Sequence, residues 1–297
     1  MTWERFLQET PRRSIALDGV VLGGPNYDEA GLRINFDHHD NVVREATMST
    51  ARQVLFAIKG GLMEAFGGQT CTVYINDTDE DTCLATWLLL NYKQFEHANG
   101  IPVINQLLEL NDRLDITGGA FPMNLSDRLM RRHAWVFGPY KNLRKSGALA
   151  VADEPVMRDN LEAVLHRITA FHMGNMEEGD LDHRHTILYE GHGFKIVDEI
   201  GGNEARYHLF SQGMHAFISI IARRPDGKVV YTIGRRSKFI RFPVRTLYGV
   251  FNHAEGLAPE QGWNGSDIIG GSSRLHGSAQ SWQQLRDLTI STLSSNR

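Results

Sequence analysis

A chain of 297 residues, 41% hydrophobic and 22% charged, carries enough apolar surface for two packed domains and excludes a disordered or fibrous architecture. Its formal net charge of −4 excludes a protein that holds nucleic acid by bulk electrostatics, so any anionic ligand must be met by a local patch. Cys71 and Cys83 are too few for a disulfide framework and form no CxxC pair, and no run of ~18 apolar residues could cross a bilayer. With a polar start, Met1-Thr2-Trp3-Glu4-Arg5, the expectation is a cytoplasmic protein with reduced cysteines and no membrane partner.

The first half alternates short apolar runs that end in acid with longer amphipathic stretches, the pattern of a parallel sheet covered by helices. Residues 14–17 run into Asp18, residues 32–36 into Asp37, and residues 70–75 into the acid cluster Asp77, Asp79, Glu80 and Asp81. In open α/β sheets ligands gather outside the carboxyl ends of the strands, so these carboxylates are expected to share one crevice. Helical periodicity covers residues 49–66 and 81–95, the second helix capped by Asp81 or Thr82. Residues 156–172 form a further amphipathic stretch after a mixed polar region at 141–154, and read as a connector.

Beyond residue 181 the texture changes to strands and turns. Residues 215–224, the turn Pro225-Asp226-Gly227 and residues 228–233 predict a β-hairpin. A glycine- and serine-rich segment, residues 270–279, precedes a helical tail at 280–293. The expected fold is therefore α/β, a parallel sheet covered by helices over residues 1–150, then a helical connector over 151–180 and a smaller α+β domain over 181–297.

Two local signals carry chemistry. In Phe36-Asp37-His38-His39-Asp40-Asn41 an acid precedes two imidazoles directly after a β-rich run, and carboxylate oxygen with imidazole nitrogen suits manganese better than a thiolate set would. The competing reading is a histidine pair at the surface or at a helix cap. In Asn76-Asp77-Thr78-Asp79-Glu80-Asp81 four acids occupy five consecutive positions, a crowding relieved by solvent or by a divalent cation, with a solvated loop and helix cap as the alternative. Asp18, Asp112 and Asp115 complete the set, each where an apolar segment turns polar. Arg235, Arg236, Lys238, Arg241 and Arg245, interleaved with Phe239 and Phe242, read either as phosphate and base contacts or as a half-buried strand with a solvated face.

Together these motifs resemble the DHH phosphoesterase superfamily. Asp37, His38 and His39 match its namesake triplet, Asp18 its lone strand-end aspartate, and Asp112 or Asp115 its later aspartate. Gly270, Gly271, Ser272, Ser273, Arg274 and His276 are similar to the glycine-rich motif of the DHH-associated substrate domain. One departure stands out: the best match to the family's opening DxD strand end, Asp79-Glu80-Asp81, follows the triplet, and its usual histidine is missing.

The resemblance implies a hydrolase with two manganese ions, or magnesium in their place, that activates water against a phosphodiester or phosphomonoester of a small nucleotide or short oligonucleotide. Asp18, Asp37, His38, Asp77, Asp79, Asp81 and Asp112 or Asp115 are the expected metal ligands, with Asp37, His38 and His39 at the chemistry. The glycine-rich segment with Arg235 and Arg236 would hold the substrate. Polyphosphate hydrolysis and a non-catalytic regulator that binds a phosphorylated ligand are the alternatives, with a homodimer as an open oligomeric state.

Overall fold

The structure, a computed structural model, describes residues 1–39, 41–98 and 100–295; Asp40 of the histidine motif lies outside them. It is a mixed α/β chain with two sheets, divided into two compact units.

The first unit comprises Met1–Ile116, Asp127–Arg144 and Val151–Asp180. Its elements are α1 (Trp3–Glu9), β1 (Ser14–Leu17), β2 (Asn26–Asp28), β3 (Arg33–Phe36), α2 (Thr50–Lys59), α3 (Leu62–Ala65), β4 (Thr72–Tyr74), α4 (Glu80–Leu90), α5 (Pro102–Ile116), α6 (Arg128–Val136), α7 (Gly138–Lys145) and α8 (Glu154–His172). Every residue of β1 is buried, as a strand covered on both faces requires, and it lies at the interior of the order β2-β3-β1-β4. It pairs in parallel with β3 and with β4, so the segments carrying Asp18, Asp37 and Asp77 leave the sheet at one end. The short, polar β2 adds an antiparallel edge that no hydrophobic alternation announces.

The helix expected over residues 49–66 breaks at Gly60 and Gly61, the latter at φ 96°, into α2 and α3. Ser49 caps α2 through the Arg52 amide. The cap of helix α4 falls two residues before the earlier of the two expected positions: Asp79 caps it by accepting from the Thr82 amide, because the Asp81 carboxylate is turned inward and already bonded elsewhere. Nearly all of α4 is buried, including Asp81 and Thr82, which makes it the central helix of the unit. The expected connector holds α8, which packs on α4, α5 and α6 and so completes the first unit.

The second unit comprises Thr117–Ser126, Lys145–Ala150 and Leu181–Arg297. It contains β5 (Thr186–Gly191), β6 (Phe194–Asp198), α9 (Asn203–Ser211), β7 (Ala216–Arg223), β8 (Val229–Arg235), α10 (Val244–Glu255), β9 (Asn264–Gly265), β10 (Ile269–Gly271) and α11 (Trp282–Ser295). The hairpin β7–β8 forms as expected and occupies the middle of a six-stranded sheet, order β5-β6-β7-β8-β10-β9. Its core joins Ile218, Ile220, Tyr231 and Ile233 of the sheet to Leu247 and Phe251 of α10 and Leu285 of α11. The basic stretch offered as a half-buried strand is instead the end of β8, a loop and the start of α10; Val244, Leu247, Tyr248 and Phe251, spaced by three and four, bury one helical stripe. Among the described residues no helix is long and apolar enough to cross a membrane.

Candidate metal centre

At the end of β1 the chain turns sharply: Asp18 adopts φ 49° and Gly19 φ 83°, a left-handed pair in which Asp18 carries backbone strain. The buried Asp18 carboxylate accepts from the Thr50 hydroxyl at 2.9 Å. At the end of β3, Asp37 folds the histidine pair around itself. One of its oxygens, Oδ1, accepts from the amides of His38 at 2.7 Å and His39 at 3.0 Å, and lies 2.8 Å from His39 Nδ1. Gln53 of α2 donates to the Asp37 carbonyl at 2.9 Å and locks the turn to the helix.

The two imidazoles take different places. His38 is fully buried, with Nε2 2.8 Å from Asp115 Oδ2 and 3.5 Å from Asp18 Oδ1, yet aligned for a hydrogen bond with neither. The His39 side chain is 42% exposed, with Nδ1 3.5 Å from Asp18 Oδ1. Asp81 Oδ1 accepts from the Ala51 amide at 3.2 Å and from Asn111 Nδ2 at 3.0 Å, while Asp81 Oδ2 has no partner among the described residues. His38 Nδ1, His38 Nε2 and Asp115 Oδ2 are likewise buried without a hydrogen bond. His38, Asp81 and Asp115 each offer one ligand atom, all within 4.8 Å of one another, and Asp18, His38 and His39 form a second such group.

The electrostatics are those of a crowded, buried cluster of carboxylates around one imidazole. Burial opposes the charge on His38, but Asp115 and Asp18 outweigh it and push the imidazole up to about 11. Burial likewise opposes ionisation of Asp18 and Asp115, but His38 holds both below the ordinary carboxylate range, aided by His39 at Asp18 and by Arg44 at Asp115. Asp79 and Asp81 are driven well above it, first by burial and then by neighbouring carboxylates. For His38, Asp79 and Asp81 the folded value exceeds the unfolded one, so their stabilising contribution is complete below the unfolded value and fades as pH rises toward the folded one. For Asp18 and Asp115 the sign is opposite, and their contribution is lost as acid protonates them. Metal-free protein is therefore expected to lose thermal stability as pH rises from about 6.5 toward about 11, and the gain on adding a divalent cation should grow over the same range as protons are displaced. Differential scanning fluorimetry in chelator and in Mn2+ checks this; a metal-free melting temperature that rises over this range would contradict it.

The remaining expected ligands divide. Asp112 accepts from the Ser49 amide at 2.8 Å and pairs with Arg52 at 3.1 Å, a support for the start of α2, whereas Asp115 reaches His38. Asp79 is the α4 cap, and Asp77 accepts from the Thr78 amide and from the Tyr140 hydroxyl. The sequence reading missed Thr50 on Asp18, Arg44, whose Nη2 lies 3.5 Å from Asp115 Oδ1, and Asn111 on Asp81. Asn111 stood beside Asp112 in the same acidic stretch; Thr50 and Arg44 carried no local signal.

In the second unit, Gly270 and Gly271 lie in β10, where a Cβ would come within 2.1 Å of Tyr248 Oη and 2.2 Å of the Tyr231 carbonyl oxygen respectively. Close packing thus accounts for both glycines without a ligand. The buried Ser272 hydroxyl accepts from the Tyr231 amide, and Ser273 Oγ from the His276 amide. Arg274 and His276 are exposed. Arg235 donates to the carbonyls of Asp267 and Ile240, and the Arg236 amide to that of His215.

Comparison with protein-family models, with curated proteins and with solved structures finds no match to this chain.

Proposed function

We propose that the chain is a manganese-dependent phosphoesterase of the DHH type, acting on a small phosphorylated substrate. The observation that carries this reading is the set of buried, unbonded donor atoms on His38, Asp81 and Asp115, which face one another at the strand ends where the triplet motif falls. A divalent ion is the group that satisfies carboxylate oxygen and imidazole nitrogen at once, and this oxygen-rich set suits manganese or magnesium better than a structural zinc. One imidazole nitrogen serves one ion, so His38, Asp81 and Asp115 would hold the first, and the carboxylates of Asp18 and Asp37 the flank of a second, with the His39 ring beside them.

When bound, the ions would polarise a phosphoryl oxygen and lower the pKa of water toward neutrality. The protein's own groups do the rest. Thr50 orients Asp18, Arg44 leans on Asp115, and the Asp37 turn fixes both rings. His39 Nδ1 donates to Asp37 Oδ1, which leaves Nε2 of this half-exposed ring as the nitrogen that takes or gives a proton to the substrate.

The reading is tested by hydrolysis of an aryl phosphodiester, dinucleotides, a nucleoside bisphosphate and polyphosphate with and without Mn2+, with Asp37→Ala as control. Turnover that needs both Mn2+ and Asp37 is expected on at least one substrate. Folded protein that binds Mn2+ and cleaves none of them would favour a non-catalytic phospho-ligand binder.

A further inference from the structure

A buried chain of polar groups contributed by three helices ends on Asp81 Oδ1. His133 of α6, 1% exposed, has Nε2 3.3 Å from Asn111 Oδ1; Asn111 of α5, also 1% exposed, donates from Nδ2 to Asp81 Oδ1 of α4 at 3.0 Å. Burial, with the charge of Lys141, holds His133 well below the usual imidazole value, so the ring is neutral and carries one N–H. With that hydrogen on Nε2, His133 donates to the Asn111 carbonyl oxygen, and the Asn111 amide can point only its NH2 group at Asp81. The reversed amide would set its oxygen against the Asp81 carboxylate and its NH2 group against the His133 N–H. Two like contacts in a dry interior make that arrangement costly.

We propose that His133 and Asn111 are positioning residues for the metal centre: together they fix the rotamer of Asp81, occupying Oδ1 and leaving Oδ2, which has no hydrogen bond among the described residues, for the ion. The inference rests on the reading of this cluster as a metal site. It extends that reading to two residues that touch no donor of the triplet except through Asp81 Oδ1. Neighbouring contacts anchor the same acidic segment to α7, where Tyr140 donates to Asp77 and Lys141 lies 3.8 Å from Glu80. The α6–α7 stretch thus holds the acidic segment through Tyr140, Lys141 and His133, and the His133–Asn111 path reaches Asp81 of the triplet.

Mn2+ affinity of the full chain, titrated by electron paramagnetic resonance of the free ion, tests the proposal without any assay of activity. His133→Phe keeps an aromatic ring against Phe137, whose centroid is 4.6 Å away, and removes the N–H. Asn111→Leu removes the donor to Asp81 by an independent route. Each is expected to weaken Mn2+ binding by roughly 10- to 100-fold, as loss of a partner of a metal ligand does, and His133→Gln, which restores an N–H, should recover most of the loss. Val136→Ala, a cavity at a fully buried position of the same helix, should lower thermal stability and leave Mn2+ affinity unchanged. The proposal is overturned if the two variants, with wild-type circular dichroism, bind Mn2+ as the wild type does, or if Val136→Ala weakens binding as much as they do. Folded wild-type protein that takes up no Mn2+ overturns the metal reading itself, and the relay with it.

Discussion

On the proposed phosphoesterase reading, His38→Ala is expected to lower Mn2+-dependent turnover of a phosphoester by on the order of 10²- to 10⁴-fold. His38 is the imidazole of the triplet that would hold the first ion, so its loss opens that site. Metal ions contribute several kcal/mol of transition-state stabilisation, and each ~1.4 kcal/mol is a factor of ten in rate. The same change removes the imidazole ligand that Asp81 and Asp115 cannot replace, so the variant should also bind Mn2+ weakly. Asp112→Asn, at a carboxylate committed to Ser49 and Arg52, should keep most of the activity. Equal losses from both changes, in proteins with wild-type circular dichroism, would remove the distinction between the two aspartates.

Arg206→Met is expected to destabilise the second unit by about 3–5 kcal/mol. Arg206 and Glu199 form a bidentate pair at 2.8 Å on each arm, with side chains 3% and 0% exposed. The guanidinium also donates to the Gly118 carbonyl and lies over the Phe217 ring at 4.8 Å. Taking away the cation leaves the Glu199 carboxylate buried with no counter-charge, which costs far more than a surface pair would. In the double variant Arg206→Met, Glu199→Leu much of the loss should return, because no ion is then stranded in the interior. Urea unfolding of the three proteins measures both effects; a single variant within ~0.5 kcal/mol of the wild type would show that the pair is hydrated in solution.

The strands that carry Asp18 and Asp37 were legible because they are short, apolar and end in acid, and the hairpin β7–β8 because its turn residues and alternation are strong local signals. The choice between Asp112 and Asp115 was not. Three positions apart on one helix, they share a face, and only tertiary partners, Ser49 and Arg52 for one and His38 and Arg44 for the other, tell them apart. The cap of α4 went to Asp79 for a similar reason: several acids in a row could cap, and Asp81 is held inward by Ala51 and Asn111. The polar edge strand β2 lacks any apolar alternation to reveal it. In the basic stretch, attention to charge hid the helical spacing of Val244, Leu247, Tyr248 and Phe251. The glycines of β10, read as an anion cradle, turn out to sit where neighbouring atoms leave no room for a Cβ, a constraint invisible before the sheet is assembled.

The most direct test of the central claim is a Mn2+ titration of the metal-free wild-type chain, followed by isothermal calorimetry together with the resonance of the unbound ion. Saturable uptake of two ions per chain is expected, with release of protons on binding as the Asp79, Asp81 and His38 protons are displaced, and loss of uptake in His38→Ala. A folded chain that takes up no Mn2+, or one whose uptake is untouched by His38→Ala, would contradict it.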